Sequence, residues 1–405
     1  MVPDVNRRRF LGSAGAVAAL AAAPQSGAAP AGNPVRFGLV GCGGRGTWDA
    51  ANLVTQAGAQ LVALGDLFQD KLDTARRNLD PVLKAKGLPP IASDRLYRGS
   101  QSALRLAESD LDAVLLALPP YYYPDTLATI AACNKHIYCE KPVAIDVPGC
   151  LKVIDVAKRL DGKVVFHVGL QVPWAGAFRE MTRRIHAGDI GTIATAQSYF
   201  YYGGGGRVAP PGVGRDEARI RAWAGDRVLS GDVIVEQNVH GLDKINFVLK
   251  VHPVSAFAKA SRKARRDFGD IRDNFEAVLT YPGDVAVSFH STQFLVGYND
   301  AGERFFGSRG LSESHYVGGV RIFGEAPWDA GVTDIVADAE TNKYRGFIND
   351  IVTGHLRNEG VRGAESTLTA LLVRTAADTG HEVSWDALLA SREKWESHID
   401  LRQFD

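Results

Sequence analysis

Three short stretches of this 405-residue chain hold residue types at spacings that could do chemistry. The first is Gly41-Cys42-Gly43-Gly44-Arg45-Gly46, directly after the apolar run 35–40. Behind a strand, the first glycine of such a turn permits tight folding and the second lets a pyrophosphate approach the backbone. The third lets helix and strand pack closely. The helix opening there would aim unpaired N–H groups and a positive dipole end at the phosphates. Asp66 ends the next apolar run, 20 residues past Gly46. A carboxylate at that place accepts hydrogen bonds from ribose hydroxyls and repels a 2′-phosphate. The pattern reads as a dinucleotide site, with NAD favoured over NADP. A structural turn beside a solvated aspartate is the competing reading.

The second stretch, Cys139-Glu140-Lys141-Pro142, closes the run 136–139. A residue before proline is pushed out of the helical region, which holds Lys141 extended or in a turn. It then lies at the carboxyl end of a strand, the edge where ligands bind open α/β sheets. Partial burial beside a cationic ring would tune such a lysine toward proton transfer; an ordinary surface turn competes. The third stretch, 230–243, carries Glu236, His240 and Asp243. On one helix these fall at i, i+4 and i+7, apart from the apolar stripe of Val239, Leu242, Ile245 and Leu249. They read as a metal site or a solvated face. For a metal the ligands are too few, and no His or Cys cluster joins them.

The Gly-rich turn, then Glu140-Lys141-Pro142, then a domain with an open sheet resemble the Gfo/Idh/MocA oxidoreductase family. The stretch 230–243 approximates that family's second signature, with His240 and Asp243 in register and Glu236 where an aspartate is usual. The resemblance implies a Lys141 that binds cofactor and substrate and assists proton transfer, often through a cis Lys–Pro peptide. It implies His240 as general acid/base, Glu236 as the carboxylate that orients it, and Asp243 beside them. Leu118, Pro119, Tyr123, Glu140 and Gln171 would join the glycine turn around the cofactor. Two departures stand out. Tyr121-Tyr122-Tyr123 replaces a histidine, and Val172-Pro173-Trp174 follows Gln171 where an arginine is usual. Trp174, Tyr201 and Tyr202 are therefore candidate platforms for a sugar ring, with burial in the core as the competing reading.

The elements that must position these residues follow from periodicity. Apolar runs at 35–40, 60–64, 113–118, 136–139 and 164–168 alternate with helical stretches at 47–56, 70–86, 100–107, 124–133 and 148–160. This predicts a parallel sheet wrapped by helices. Stricter alternation at 191–202, 254–261, 274–281 and 285–293 predicts antiparallel strands with one wet face. Helices are expected at 178–187, 233–248, 342–357 and 365–379, and a Gly-bounded hairpin at 305–310. The fold class is α/β: a Rossmann dinucleotide-binding domain over 33–155, then an α+β domain over 156–405 with a large, mainly antiparallel open sheet. The wet sheet favours a homo-dimer or homo-tetramer. The glycine run after Tyr202 suggests a lid over the substrate.

Residues 1–32 read as an export signal. Arg7-Arg8-Arg9-Phe10-Leu11 precedes a short, Ala-rich apolar stretch, an address for the twin-arginine machinery and a periplasmic or otherwise exported location. Too short to span about 30 Å of hydrocarbon, the stretch argues against stable membrane insertion. With 46 basic against 46 acidic residues, the charge balance offers no case for nucleic acid. The four cysteines have neither metal nor disulfide-scaffold spacing. The resemblance therefore implies an NAD(P)-dependent oxidoreductase acting on a sugar, polyol or glycoside hydroxyl carbon. Outside the cytoplasm, with no nicotinamide pool, such an enzyme should hold its cofactor and return the hydride in each cycle. Sugar–sugar oxidoreduction does this, and so does a glycosidase working by oxidation, elimination, hydration and reduction. A non-catalytic dinucleotide-binding protein is the reading from another class. Lys141 and His240 facing one cavity would argue against it.

Overall fold

The computed structural model describes residues 33–203, 208–295 and 297–405. The twin-arginine segment, and most of the glycine run proposed as a lid, lie outside the described residues. Within them the chain forms two sheets. The first contains β1 (Arg36–Val40), β2 (Gln60–Asp66), β3 (Leu96–Arg98), β4 (Ala113–Leu116), β5 (His136–Cys139) and β6 (Phe166–Val168). All its pairings are parallel, in the order β3-β2-β1-β4-β5-β6. Helices cover both faces, so β4 is buried at every residue. The strand order reverses between β1 and β4, which opens a crevice at the carboxyl edge.

The expected boundary at 155 falls inside helix Val147–Leu160, and β6 pairs with β5. The first sheet therefore closes at Val168. A strand that completes a hydrogen-bonded ladder belongs with that ladder.

The second sheet contains β7 (Ile193–Tyr201), β8 (Ser255–Ser261), β9 (Asn274–Tyr281), β10 (Val285–Thr292), β11 (Asp300–Gly307), β12 (Gly310–His315), β13 (Val317–Gly324), β14 (Trp328–Asp334) and β15 (Val383–Ser384). It is antiparallel except where β10 runs parallel to β7. The hairpin expected at 305–310 joins β11 to β12. β13 and β14 form where no strand is expected, because Gly318, Gly319, Gly324 and Gly331 interrupt the alternation.

Two helices place the site. Helix Val239–Leu249 lies on β7 and β10. A side chain at Gly241 would come within 2.9 Å of Ser198 Oγ, so glycine permits that close approach. Helix Ile335–Thr353 returns to the first domain, where Tyr344 and Phe347 enter the core beneath β1 and β5. Among the described residues, no helix is long and apolar enough to cross a membrane.

Candidate active site

The glycine turn has the shape that a dinucleotide needs. Gly41 has φ +92°, and a Cβ there would sit 2.3 Å from the Ala117 carbonyl. At Gly46 a Cβ would meet the Gly41 carbonyl at 2.1 Å. Both glycines are therefore demanded by packing. Gly43 and Gly44 differ: a Cβ at either would meet nothing within 4 Å. Helix Gly44–Ala57 opens there with no side-chain cap and no acidic residue in its first turn. Its N–H groups and dipole are left to face open space, which fits a pyrophosphate. Asp66 stands beside this turn. One carboxylate oxygen accepts the Cys42 N–H at 2.7 Å and the other the Phe68 N–H at 2.9 Å. A carboxylate oxygen can accept a second bond, so ribose hydroxyls still have acceptors. Burial raises the Asp66 pKa, against the pull of those two N–H groups.

Lys141 lies past the end of β5, and its peptide to Pro142 is cis. Its ammonium donates to the backbone carbonyl of Glu236 and pairs with the Glu236 carboxylate at 3.5 Å. The single helix expected over 233–248 is broken at this place. Helix Val233–Glu236 ends, and helix Val239–Leu249 begins after Asn238. In a continuous helix the Glu236 carbonyl would accept from the His240 N–H. Here that N–H turns to Gln237 at 3.5 Å, and Lys141 takes the freed carbonyl. Glu236 and His240 therefore stand on two helices, with Lys141 bound to the end of the first.

His240 is buried, and its pKa is pushed well below the ordinary 6.5. Burial is the largest cause and the charge of Lys141 the next. A histidine depressed in the folded state binds fewer protons than in the unfolded chain. Stability is then lost as pH falls from about 6.5 toward the folded value. Activity should follow the same group. The acid limb of kcat/KM is expected below pH 6.5, and a profile falling at or above that pH would sink the assignment.

A buried charge network anchors the Glu-Lys-Pro corner. Glu140 accepts from Arg45 at 3.0 Å and pairs with Lys343 at 3.5 Å. Arg45 also reaches Asp49 at 3.0 Å and Glu340 at 3.2 Å, and Lys343 pairs with Glu340 at 2.7 Å. The Tyr344 hydroxyl lies 2.6 Å from Asp49 and 3.0 Å from Glu340, and its single proton serves one carboxylate at a time. Burial alone would raise the Glu140 carboxyl, but Arg45, Lys343 and Lys141 outweigh it and hold it at about 2. Asp49 moves the other way, raised by burial and by the neighbouring carboxylates.

Two models of known families cover most of these elements. The one described as oxidoreductase family, NAD-binding Rossmann fold, matches residues 35–169, and the GFO/IDH/MocA C-terminal domain matches 178–313. The chain belongs to the Gfo/Idh/MocA oxidoreductase family. It is 28% identical over 283 residues to an inositol 2-dehydrogenase of Rhizobium meliloti, which spans 68% of this chain and 74% of that one. In fold it resembles a myo-inositol 2-dehydrogenase of Lactobacillus plantarum, with a TM-score of 0.68 at 20% identity over 87% of this chain and 99% of that one. It also resembles a levoglucosan dehydrogenase in complex with NADH and levoglucosan, with a TM-score of 0.69 at 16% identity over 87% and 99%.

Within this Gfo/Idh/MocA chain the structure joins the glycine turn to Asp66 and, through Arg45 and Glu140, to the corner where Lys141 meets Glu236, with His240 buried on the helix that follows. Leu118 sits against Gly41, and its N–H donates to the Tyr123 hydroxyl at 3.1 Å. Tyr123 is buried and steadies the Leu118–Pro119 corner. Gln171 is buried just beyond β6. Cys42 packs as a buried apolar group, its thiol raised well above the ordinary value by burial. Arg45 and Glu140 bind each other at 3.0 Å.

Other expected residues are drawn elsewhere. Asp243 binds Arg362 at 2.8 Å and Ser366 at 2.7 Å and lines a separate cavity with Arg179 and His186. The expected stripe fails because the helix breaks after Glu236, and Arg362 and Ser366 on helix Gly360–Thr379 bind the Asp243 carboxylate. Trp174 stacks on His167 at 5.2 Å, packs over Gly346 and lines a cavity with Arg179 and Asn342. Tyr201 stacks on Tyr199 at 4.9 Å and meets His290 on the second sheet, and Tyr202 packs against the core. Sequence reasoning missed Asp49, Glu340 and Lys343. The i,i+4 spacing of Arg45 and Asp49 was a visible signal for the first; nothing local links the other two to Glu140.

Proposed function

We propose that this chain is an oxidoreductase that moves a hydride between NAD and a hydroxyl-bearing carbon of a sugar, polyol or glycoside. One observation carries the reading: the Lys141 ammonium is fixed on Glu236 at the break between two helices, the second of which carries the buried His240. When bound, the nicotinamide supplies the hydride acceptor or donor. His240 is neutral, and its ring has no hydrogen-bond partner among the described residues, so it can take the proton of a substrate hydroxyl. Lys141 stabilises the oxygen from which that proton departs. Glu236 orients Lys141, a role different from orienting His240. Asp66 beside the glycine turn supports NAD over NADP, in keeping with the NADH held by the levoglucosan dehydrogenase.

The rest of the reading concerns setting. Arg7-Arg8-Arg9-Phe10-Leu11 supports twin-arginine export and a periplasmic location. The outer face of the second sheet supports a homo-dimer or homo-tetramer. Phe257, 44% exposed, pairs in register with Val278, 51% exposed.

Inositols, aldoses and glycosides should be screened with added NAD and NADP, following reduced nicotinamide by absorbance and products by chromatography. Oxidation of a sugar or polyol with NAD is expected. Asp66→Ala should narrow the preference for NAD over NADP by about tenfold or more, since a tenfold change is about 1.4 kcal/mol. Turnover of glycosides alone would replace this reading with the glycosidase. No turnover of any hydroxyl compound by a protein that binds NAD would leave the non-catalytic one.

A further inference from the structure

Segment 391–405 leaves helix Trp385–Ala390 and runs onto the carboxyl edge of the first sheet. It is fastened to the loops that follow three of its strands. Beyond β4, the Ser397 N–H donates to the Tyr121 hydroxyl at 3.2 Å. Beyond β2, the Phe404 ring meets Phe68 edge-on with centroids 5.4 Å apart. Beyond β3, the Asp405 carboxylate accepts from Ser100, 2.9 Å from its hydroxyl, while Arg98 donates to the Phe404 carbonyl at 3.0 Å. In this sheet β1 lies between β2 and β4. A segment tied beyond β2, β3 and β4 therefore passes across the edge from which the glycine turn rises.

Phe68 lies two residues past Asp66 and donates its N–H to that carboxylate. Arg221 covers the Phe68 ring, its guanidinium 3.9 Å from the centroid and paired with Asp70 at 2.8 Å. Phe68 is thus gripped by Phe404 and by Arg221, and Ile399 and Leu401 join the same apolar cluster with Tyr121 and Tyr122. This cluster spans the crevice between the loops after β2 and β4, where a dinucleotide bound at the glycine turn and Asp66 would lay its adenosine half. The space over Gly43 and Gly44 stays open, so the segment walls the crevice without filling its phosphate end.

We infer that segment 391–405 forms the outer wall of the adenosine half of the cofactor site and sets how slowly the dinucleotide leaves. This rests on the NAD-binding reading above, and it gives that reading a physical means of keeping a cofactor through many turnovers. A ligand walled on its open side leaves only when the wall parts, so the effect falls on the dissociation rate.

The test loads the full chain with NAD, removes the excess by rapid desalting, and measures by chromatography the nucleotide still bound at timed intervals. Phe404→Ala is expected to speed loss about tenfold or more, as removal of a packed aromatic contact implies. Asp405→Ala, which cuts only the surface anchor at Ser100, should speed it less, and Phe404→Leu should restore part of the retention. Circular dichroism checks that each variant is folded. If Phe404→Ala fails to fold, Asp405→Ala decides alone. Equal loss rates in wild type and every folded variant would overturn the inference. So would tighter retention in the variants, which would make the segment a plug. A wild-type chain that retains no nucleotide, and binds none at any concentration, would bring down the NAD-binding reading itself.

Discussion

Alanine at His240 is expected to lower kcat about 10²- to 10⁴-fold, the range for losing a positioned general acid/base. Alanine at Lys141 should fall in the same range, because the two groups act on one oxygen. The double variant should then be little slower than either single one, since groups that act as a unit are not additive. NAD affinity should change by less than about threefold for His240→Ala, because the glycine turn and Asp66 remain. Fluorescence titration of the cofactor beside steady-state kinetics separates the two effects. Lys141→Ala carries a second signature. The Lys141 charge is, after burial, the next cause of the depressed His240 pKa. Without it the acid limb of the residual activity should move up in pH. Near-normal turnover in either single variant would remove the proposed chemistry.

Alanine at Glu140 is expected to cost about 3–5 kcal/mol of stability, the penalty for breaking a buried ion pair from one side. Lys343, with 1% of its side chain exposed, would lose one of two carboxylate partners, and Arg45 one of three. Asp49 offers partial relief. The Glu140 charge is among the causes that raise its pKa, so in the variant Asp49 ionises more readily and restores some negative charge. The cost should therefore approach the lower end of that range as pH rises above neutral. Chemical denaturation of the wild type and Glu140→Ala at two pH values measures both effects. Equal stability would mean that the network contributes nothing to holding the Glu-Lys-Pro corner.

Much of the first domain is written in local pattern. A strand buried on both faces is a run of apolar residues, and a glycine turn between strand and helix has no cheaper use at that place. β1, β2 and β5 therefore lie within a residue or two of expectation, and helix Val147–Leu160 begins one residue early. The second domain is less legible, because glycine-interrupted strands such as β13 draw their stability from neighbours in the sheet rather than from their own alternation.

By itself the sequence determined the family and the parallel sheet, and it singled out the glycine turn, Lys141 and His240 as candidates. Those features live in short spacings, where each residue's role depends on neighbours a few positions away. Only the tertiary structure decided which carboxylate serves which cation. Arg45 binds Glu340, Asp243 is claimed by Arg362, and the Lys141 ammonium displaces a helical hydrogen bond at Glu236. A buried charge must find whatever opposite charge the fold brings within reach, and no local period records a partner that lies 95, 119 or 295 residues along the chain.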